Sequence, residues 1–522
     1  MLRRLLSALH DPTARRPHLG HARFDSATFT DGARFDGAFF AHGAHFTGAV
    51  FARGGNFGKA TFTGTAWFGG ATFTRDAHFG GVLFASGAKF SGATFTRRAQ
   101  FNTATFARDA WFGGSNFTRD AQFNRVTFSR DAYFGGAIFM GGVQFNGARF
   151  EAATRLGPLV CKEALVLDGA VFEVPVTVEA AARVVTCGRT RWASAATLRL
   201  RYSELNLRDA VLEYPLAVTA RAEAFLSPSG SWLPETLLSD RDPGVRLTVV
   251  DGVDAAHLVL HDVDLSICRF AGAIHLDQLR VDGWCTFATT PTGIRSRQLL
   301  PRWWSQRSTL VEEHHWRAQR GRSVLRRGWT AAPEDTPVLK PASLAALYRQ
   351  LRKSLEDGKN EPDAADFYYG EMEMRRHDVT RPQSERALLA GYWALSGYGL
   401  RATRALAWLL GAMAITLLAL LLWGLPAQEP TQSTTGRQVA VGQRISLTTD
   451  TPAPANPVGT WAERITAERS EKALRVVVNS VIFRSADQHL TVVGTYIEMA
   501  SRLAEPILLG LALLAIRSRV KR

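Results

Sequence analysis

The chain has 522 residues, 62 Lys plus Arg against 47 Asp plus Glu, and 46% apolar residues; this excludes a disordered tail protein and leaves room for three domains or more. Its four cysteines, Cys161, Cys187, Cys268 and Cys285, stand alone, so no zinc or redox spacing is present, each reads as a small buried apolar residue, and a reduced compartment is expected. The net charge of +15 makes nucleic acid and an anionic membrane surface the partners to weigh.

Residues 1–21 read as an N-terminal cap. Leu2, Leu5, Leu6 and Leu9 share one face of a short helix, and the apolar run is too short for a cleaved signal peptide. From residue 22 a period of eleven takes over. Phe24, Phe35, Phe46, Phe57, Phe68, Phe79, Phe90, Phe101, Phe112, Phe123, Phe134 and Phe145 form one series. Phe29, Phe40, Phe51, Phe62, Phe73, Phe84, Phe95, Phe106, Phe117, Phe128, Phe139 and Phe150 form a second, offset by five. Two residues before each Phe stands a small or slender residue, nearly always Ala, so the unit reads A-x-F-x-x-A-x-F-x-x-x. A separation of two places Ala and Phe on the same side of an extended segment, pointing inward together. Spacings of five then six suit no helix stripe. They suit a chain that turns a corner after each short segment, with Gly, Ser, Thr, Asn and Asp at the corners.

These units resemble the pentapeptide-repeat family, whose A-(D/N)-L/F-x-x units wind into a right-handed quadrilateral parallel β-helix with four units per coil. The resemblance covers Ala22 to about Phe150. Alternate units here carry a sixth residue, so a coil should take about 22 residues rather than 20. Six such coils span roughly 29 Å at about 4.8 Å each, with the 24 Phe as the solenoid core. Residues 151–290 read as a degenerate continuation in which Leu and Val replace Phe, with Ser227 to Pro234 as an inserted loop.

Residues 291–340 form a basic, Trp-rich linker. Between Arg295 and Trp329, the nine residues Arg295, Arg297, Arg302, Arg307, Arg317, Arg320, Arg322, Arg326 and Arg327 stand against Glu312 and Glu313, and Trp303, Trp304, Trp316 and Trp329 are interleaved with them. A headgroup interface selects Arg with Trp, and so does nucleic acid; a solvated linker is the third reading. Membrane contact is preferred, because a membrane segment follows and no nucleic-acid module is visible. Glu312, Glu313, His314 and His315 are adjacent and diverge on helix or strand, so no metal site is expected. Residues 341–400 then read as an αα-hairpin. Leu344, Leu347, Tyr348, Leu351 and Leu355 follow helical steps with Ser343 placed to cap, Asp357 to Asn360 stops the helix, and Glu361-Pro362-Asp363 starts a second.

Residues 401–522 read as a two-span α-helical membrane domain. Ala405 to Leu425 is 21 residues without a charge, about 32 Å of helix, enough for a bilayer of roughly 30 Å. The second span must include Glu498, Arg502 and Glu505 to be long enough. These lie on one helix face, a possible pore or intramembrane polar face that has to pair within the helix, pack on the first span, or line an oligomer axis. Arg401 and Arg404 before the first span and Arg517, Arg519, Lys521 and Arg522 after the second read as membrane-interface basic residues. By the positive-inside rule, both termini and the solenoid are expected in the cytoplasm of a multi-pass cell-membrane protein. The span, outer loop with a possible re-entrant helix, and second span are faintly similar to a two-helix ion-channel core. Thr491-Val492-Val493-Gly494-Thr495-Tyr496 is faintly similar to the potassium filter T-V-G-Y-G, from which it departs at Val493, at Thr495 and by lacking the second Gly.

Neither an enzyme nor a cofactor site is expected, since no G-x-G-x-x-G after a strand, Walker loop, G-x-S-x-G or H-E-x-x-H occurs. DNA mimicry, found in the pentapeptide-repeat family, requires an acidic surface, whereas residues 22–150 hold 13 Lys plus Arg against 7 Asp. Two functions remain. The preferred one is a membrane-anchored scaffold whose solenoid offers a repetitive surface to an unidentified cytoplasmic protein. The alternative is a homo-oligomeric pore with the solenoid as sensor or assembly domain. The lipid bilayer is a partner in both, and nucleic acid is disfavoured.

Overall fold

Each turn of the N-terminal region consists of four two-residue strands separated by corners, as in Ala44–His45, Val50–Phe51, Gly55–Asn56 and Thr61–Phe62. The computed structural model describes residues 9–11, 16–291, 306–319, 328–334, 336–427, 431–436, 442, 444, 447–450, 452–482 and 488–520. It divides into two units, Met1–Glu371 and Met372–Arg522.

The first unit is a parallel β-solenoid of about 12 turns followed by helices. In its regular half every strand pairs in parallel with the strand 22 residues on: Ala44 with Ala66, Val50 with Thr72, Gly55 with Ala77, Thr61 with Leu83. The inward Ala of each unit leaves room for the ring that follows it. That ring stacks flat on its equivalent one coil away, with Phe46, Phe68, Phe90 and Phe112 separated successively by 4.8, 4.8 and 5.0 Å. Rings eleven residues apart meet edge to face, as Phe57 and Phe68 do at 5.3 Å. Each such pair contributes about 0.5–1.5 kcal/mol beyond its buried area. All the ladder phenylalanines from Phe35 to Phe150 are fully buried; only Phe24 and Phe29, in the first coil, are half-buried.

The alternation of five- and six-residue units has a backbone cause. After Phe35 the chain closes a tight turn through Ala38 N donating to Phe35 O at 3.1 Å, and the residue before Ala38, Gly37, has φ +66°. A positive φ at the third turn position is the mark of a type II turn and favours Gly. The same left-handed position recurs every eleven residues, at Gly48, Gly70, Gly81 and Gly92 among others. Ser26, Lys59, Thr103 and Arg125 also occupy it, at a cost of roughly 1–2 kcal/mol each. The longer corners take an extra residue and, Gly54 at φ +85° apart, avoid this conformation.

Beyond Phe150 the solenoid continues with a changed period. Arg155–Val166 is one strand long enough to pair with two successive columns, at Ile138–Phe139 and at Val143–Gln144. The register then shortens to 20: Val171 pairs with Arg191, Thr177 with Thr197, and Trp192 with Leu212. The ring column persists through Phe150, Phe172 and Trp192 at 4.6 and 4.5 Å. Leu216 pairs with Leu258, 42 residues on, so the segment between is an insertion, as expected around 227–234. It docks on the solenoid through Phe225, Leu233 and Leu238 against Val160 and Ala181 and through a buried Arg201–Glu235 ion pair of 2.7 Å.

The solenoid begins before residue 22, and its last rung ends at Thr289, beside the expected limit of 290. Arg16–Leu19 already forms a rung, with His18 paired to Phe39; the helix expected at Met1 to Leu9 lies outside the described residues except for Leu9. The last rung, Thr286–Thr289, pairs antiparallel with Ser308–Thr309. Helix α1 (Val311–Ala318) then covers the final coil. Its Glu312 accepts the Phe270 and Ala271 N–H groups at 2.6 and 3.0 Å, which closes exposed backbone at the end of the stack. Fully buried Glu313 accepts from Arg307 at 2.6 and 2.7 Å, Arg317 at 2.7 Å and the Tyr348 hydroxyl at 2.5 Å.

Helix α2 (Pro341–Asp357) begins at Pro341 with Lys340 as its N-cap, so Ser343 lies inside the helix and does not cap it. It joins the same cover through Ser354 Oγ to Leu279 O at 2.5 Å and Lys353 to Asp277 at 2.9 Å. Helix α3 (Glu361–His377) adds Phe367, whose ring meets Phe287 edge to face at 4.8 Å. The expected αα-hairpin is therefore present as α2 and α3, and its first role is to cap the solenoid. A third helix, α4 (Gln383–Ser396), was not anticipated.

Phe90→Ala should lower the free energy of unfolding by about 3–5 kcal/mol, and Phe24→Ala by much less, because the Phe24 ring is half out of the stack. Chemical denaturation followed by far-ultraviolet circular dichroism checks the ranking.

Candidate functional site

If the inward residues build the solenoid, the residue between Ala and Phe decides what it shows to solvent. One face is the six-stranded ladder of Ala22–Arg23, Ala44–His45, Ala66–Trp67, Ala88–Lys89, Ala110–Trp111 and Ala132–Tyr133. Ala points in, so Arg23, His45, Trp67, Lys89, Trp111 and Tyr133 form an outward column one coil apart. His45 stacks on Trp67 at 5.9 Å, and Trp111 on Tyr133 at 5.8 Å. The Lys89 ammonium sits between the two indoles, 3.8 Å from the Trp67 ring centre and 5.3 Å from that of Trp111. This is a fixed cation–π array. The opposite face carries an amide column instead, with His78 bonded to Gln100 at 2.8 Å and Asn102 to Gln122 at 3.0 Å. Reading the x of A-x-F at intervals of 22 would have found both columns.

The basic, Trp-rich segment departs from its expected membrane contact wherever it is described. Arg307, Arg317, Trp316 and Trp329 are buried, and the Arg317 guanidinium lies 4.9 Å from the Trp329 ring centre. Arg295, Arg297, Arg302, Trp303, Trp304, Arg320, Arg322, Arg326 and Arg327 lie outside the described residues. Among the described residues no group of His, Cys, Asp or Glu is placed to hold a metal ion. His314 bonds the Thr309 hydroxyl at 3.0 Å, and burial pushes its imidazole down to about 4.

In the second unit, α5 (Ala402–Ala419) continues through a π-turn, Leu420–Gly424, and α7 (Val492–Val520) runs through Pro506. Ala402–Gly424 and Val492–Arg517 are long and apolar enough to cross a membrane. Between them α6 (Ala467–Val481) packs Ala473, Val476 and Val477 on Leu420, Leu421 and Leu425. Arg469 donates to the carbonyls of Pro426, Leu421 and Leu425 at 2.6, 3.1 and 3.1 Å, and Arg464 to that of Leu422 at 2.8 Å. Two arginines of the segment that links the apolar helices thereby satisfy the carbonyls left open where the first apolar helix ends. In the first turn of that helix, Arg404 donates to Trp393 O at 2.7 Å. Arg401 is half-buried and Arg517 exposed, while Lys521 and Arg522 lie outside the described residues, as does the side chain of Arg519.

The polar face of the second apolar helix resolves into two parts. Arg502 donates to Glu498 at 2.5 Å within the helix. Glu505, fully buried, accepts from Thr416 of α5 at 2.9 Å and, through a short bond, from Ser480 of α6. Pairing within the helix and packing on the first apolar helix and on α6 thus account for all three charges inside one chain. The filter-like phrase is helical from Val492 onward. Its Gly494 is a contact point, because a Cβ there would lie 2.2 Å from Gly424 O.

Parallel coils, inward rings and polar corners define a β-solenoid of short tandem repeats. Residues 40–83 and 112–157 match the family model for pentapeptide repeats, with nine copies; the chain carries a pentapeptide-repeat solenoid. No curated protein and no solved structure matches it.

Two outcomes follow. In the folded chain His314 stays neutral down to about pH 4, whereas the unfolded chain takes up this proton near 6.5. Its contribution to stability is therefore present above about pH 6.5 and lost as pH falls toward 4, by up to about 3 kcal/mol. Denaturation midpoints of His314→Phe against wild type should show that part of the slope removed. In the second unit, Gly494→Val should separate the apolar helices and lower the melting temperature in detergent, with Gly510→Val, where a Cβ meets nothing within 4 Å, as the mild control.

Proposed function

We infer that the protein is a non-enzymatic, membrane-anchored scaffold that holds its pentapeptide-repeat solenoid in the cytoplasm for protein–protein interaction. The observation that carries this reading is the column Arg23, His45, Trp67, Lys89, Trp111 and Tyr133, an aromatic and cationic surface repeated at the coil spacing. Arg, Trp and Tyr are the residues enriched in binding hot spots. The positive balance of residues 22–150 favours a partner with an acidic, extended surface. Anchorage is supported by large apolar side chains left exposed on both apolar helices, among them Leu410, Ile415, Leu503 and Leu514, which lipid would cover. Basic residues flanking those helices support a cytoplasmic solenoid.

The alternative, an oligomeric channel-like pore, is favoured by α6 packed beside both apolar helices with Leu474, Val478 and Ile482 exposed along one stripe. It is disfavoured by the helical course of Thr495 and Tyr496, which leaves that phrase without the extended carbonyls of a filter.

Trp67→Ala with Trp111→Ala should reduce partner capture from cytoplasm about tenfold or more without changing the unfolding midpoint, whereas Gln100→Ala with Gln122→Ala on the amide face should not. Equal capture by both double variants would reject the column as the surface. Orientation is read by labelling intact cells with an impermeant thiol reagent: Val458→Cys should react and Gly328→Cys should not.

A further inference from the structure

Where α1 closes the last coils, the first unit holds a partly open cavity of about 210 Å³. This is large enough for a small organic molecule and not only a single water. Its walls are the coil residues Asp251 and Arg269, the α1 residues Glu312 and His315, and the extended segment from Thr336 to Leu339. The two carboxylate oxygens of Glu312 have different fates. Oε1 accepts two backbone N–H groups, while Oε2, buried with the rest of the side chain, has no hydrogen-bond partner. A buried acceptor left open costs free energy that a donor arriving from outside would recover.

The same lining also supplies the opposite charge. Arg269 forms no ion pair among the described residues, and its only side-chain hydrogen bond there is a long one to Thr336 of 3.4 Å. His315 is buried, and its ring forms no hydrogen bond among the described residues. Asp251, whose Oδ2 lies 3.7 Å from Arg208 Nε, adds a second carboxylate; Gly272 leaves room for its Oδ1, since a Cβ there would overlap that oxygen at 1.8 Å.

We propose that this cavity is a binding site for a small zwitterion of the free amino-acid class, its ammonium group on Glu312 Oε2 and Asp251 and its carboxylate on the Arg269 guanidinium. The pairing follows from the charged groups that line the cavity. Glu312 and Asp251 can only receive hydrogen bonds when ionised, and Arg269 can only give them. A ligand carrying both charges meets both kinds of group, whereas an amine or a carboxylate alone leaves one of them unmet. Bound there, it would join the solenoid end, α1 and the covering segment, so occupancy would stabilise the first unit. The proposal is independent of the scaffold reading.

The test is thermal unfolding of the full-length protein in detergent with glycine, L-alanine, ethylamine or acetate, each up to about 10 mM, where a ligand specific to the folded state raises the melting temperature by mass action. Glycine or L-alanine should raise it in a saturable way and the single-charge probes should not. Arg269→Gln and Glu312→Gln should each shift the half-saturating concentration at least about tenfold, and Trp284→Ala, on another part of the solenoid, should not. Because Glu312 also caps backbone, His315→Asn and Arg269→Gln, which leave that cap intact, provide the deciding pair. No shift with either amino acid, an equal shift with acetate alone, or a response unchanged in both deciding variants would overturn the proposal.

Discussion

The first unit depends on one packing relation: a phenylalanine ring lying flat on the ring one coil away, with a small side chain two residues before it. Four such ring columns run along the axis, and edge-to-face contacts tie neighbouring columns together, as at Phe57–Phe68. Coil length, corner type and strand register all follow from keeping the rings aligned. A strand of two residues makes too few hydrogen bonds to persist alone. It persists because strands inside the stack are paired above and below and their inward residues are fully enclosed. Stability in such a stack is a sum of neighbour terms, so the ends are where it is most exposed.

That explains the chemistry gathered at the C-terminal end of the solenoid. Once Phe gives way to Leu and Val, the coil shortens to 20 residues and the ring column ends at Trp192. The closing coils then take their order from a polar device, Glu312 on backbone N–H groups and Glu313 among Arg307, Arg317 and Tyr348. Breaking one member of such a buried set leaves an uncompensated charge, which costs far more than a surface pair. In the second unit the same rule appears on a smaller scale. Glu505 is tolerated because Thr416 and Ser480 meet it, and the close approach of Gly424 and Gly494 gives those hydroxyls their place.

The solenoid was legible in the sequence because its determinants are local and periodic: eleven-residue spacing gave the inward residues, and an extra residue in alternate units gave the 22-residue coil. The apolar helices were legible by length and composition. The polar cover was not. Arg307, Arg317, Trp316 and Trp329 have the composition of a membrane-surface linker, and only tertiary contacts with Glu313, His314 and Tyr348 turn them into a core. Likewise, nothing in the spacing of Glu498, Arg502 and Glu505 told which would pair along the helix and which would meet another helix. The outward column of Trp67, Lys89 and Trp111 was present in the repeat but masked by the stronger Phe signal.

The 22-residue register is tested most directly by oxidative cross-linking of engineered cysteine pairs. Adjacent paired strands lie about 4.8 Å apart, within the Cα separation of about 4.4–6.8 Å that a disulfide needs. Thr72 and Thr94 are register partners, as are Thr177 and Thr197 in the shortened coils. With Cys285 replaced by Ser to remove the one native cysteine that is not fully buried, Thr72→Cys with Thr94→Cys and Thr177→Cys with Thr197→Cys should each cross-link rapidly, and Thr74→Cys with Thr94→Cys should not. Rapid cross-linking of Thr74→Cys with Thr94→Cys, and none between Thr72→Cys and Thr94→Cys, would contradict the stacked-ring register.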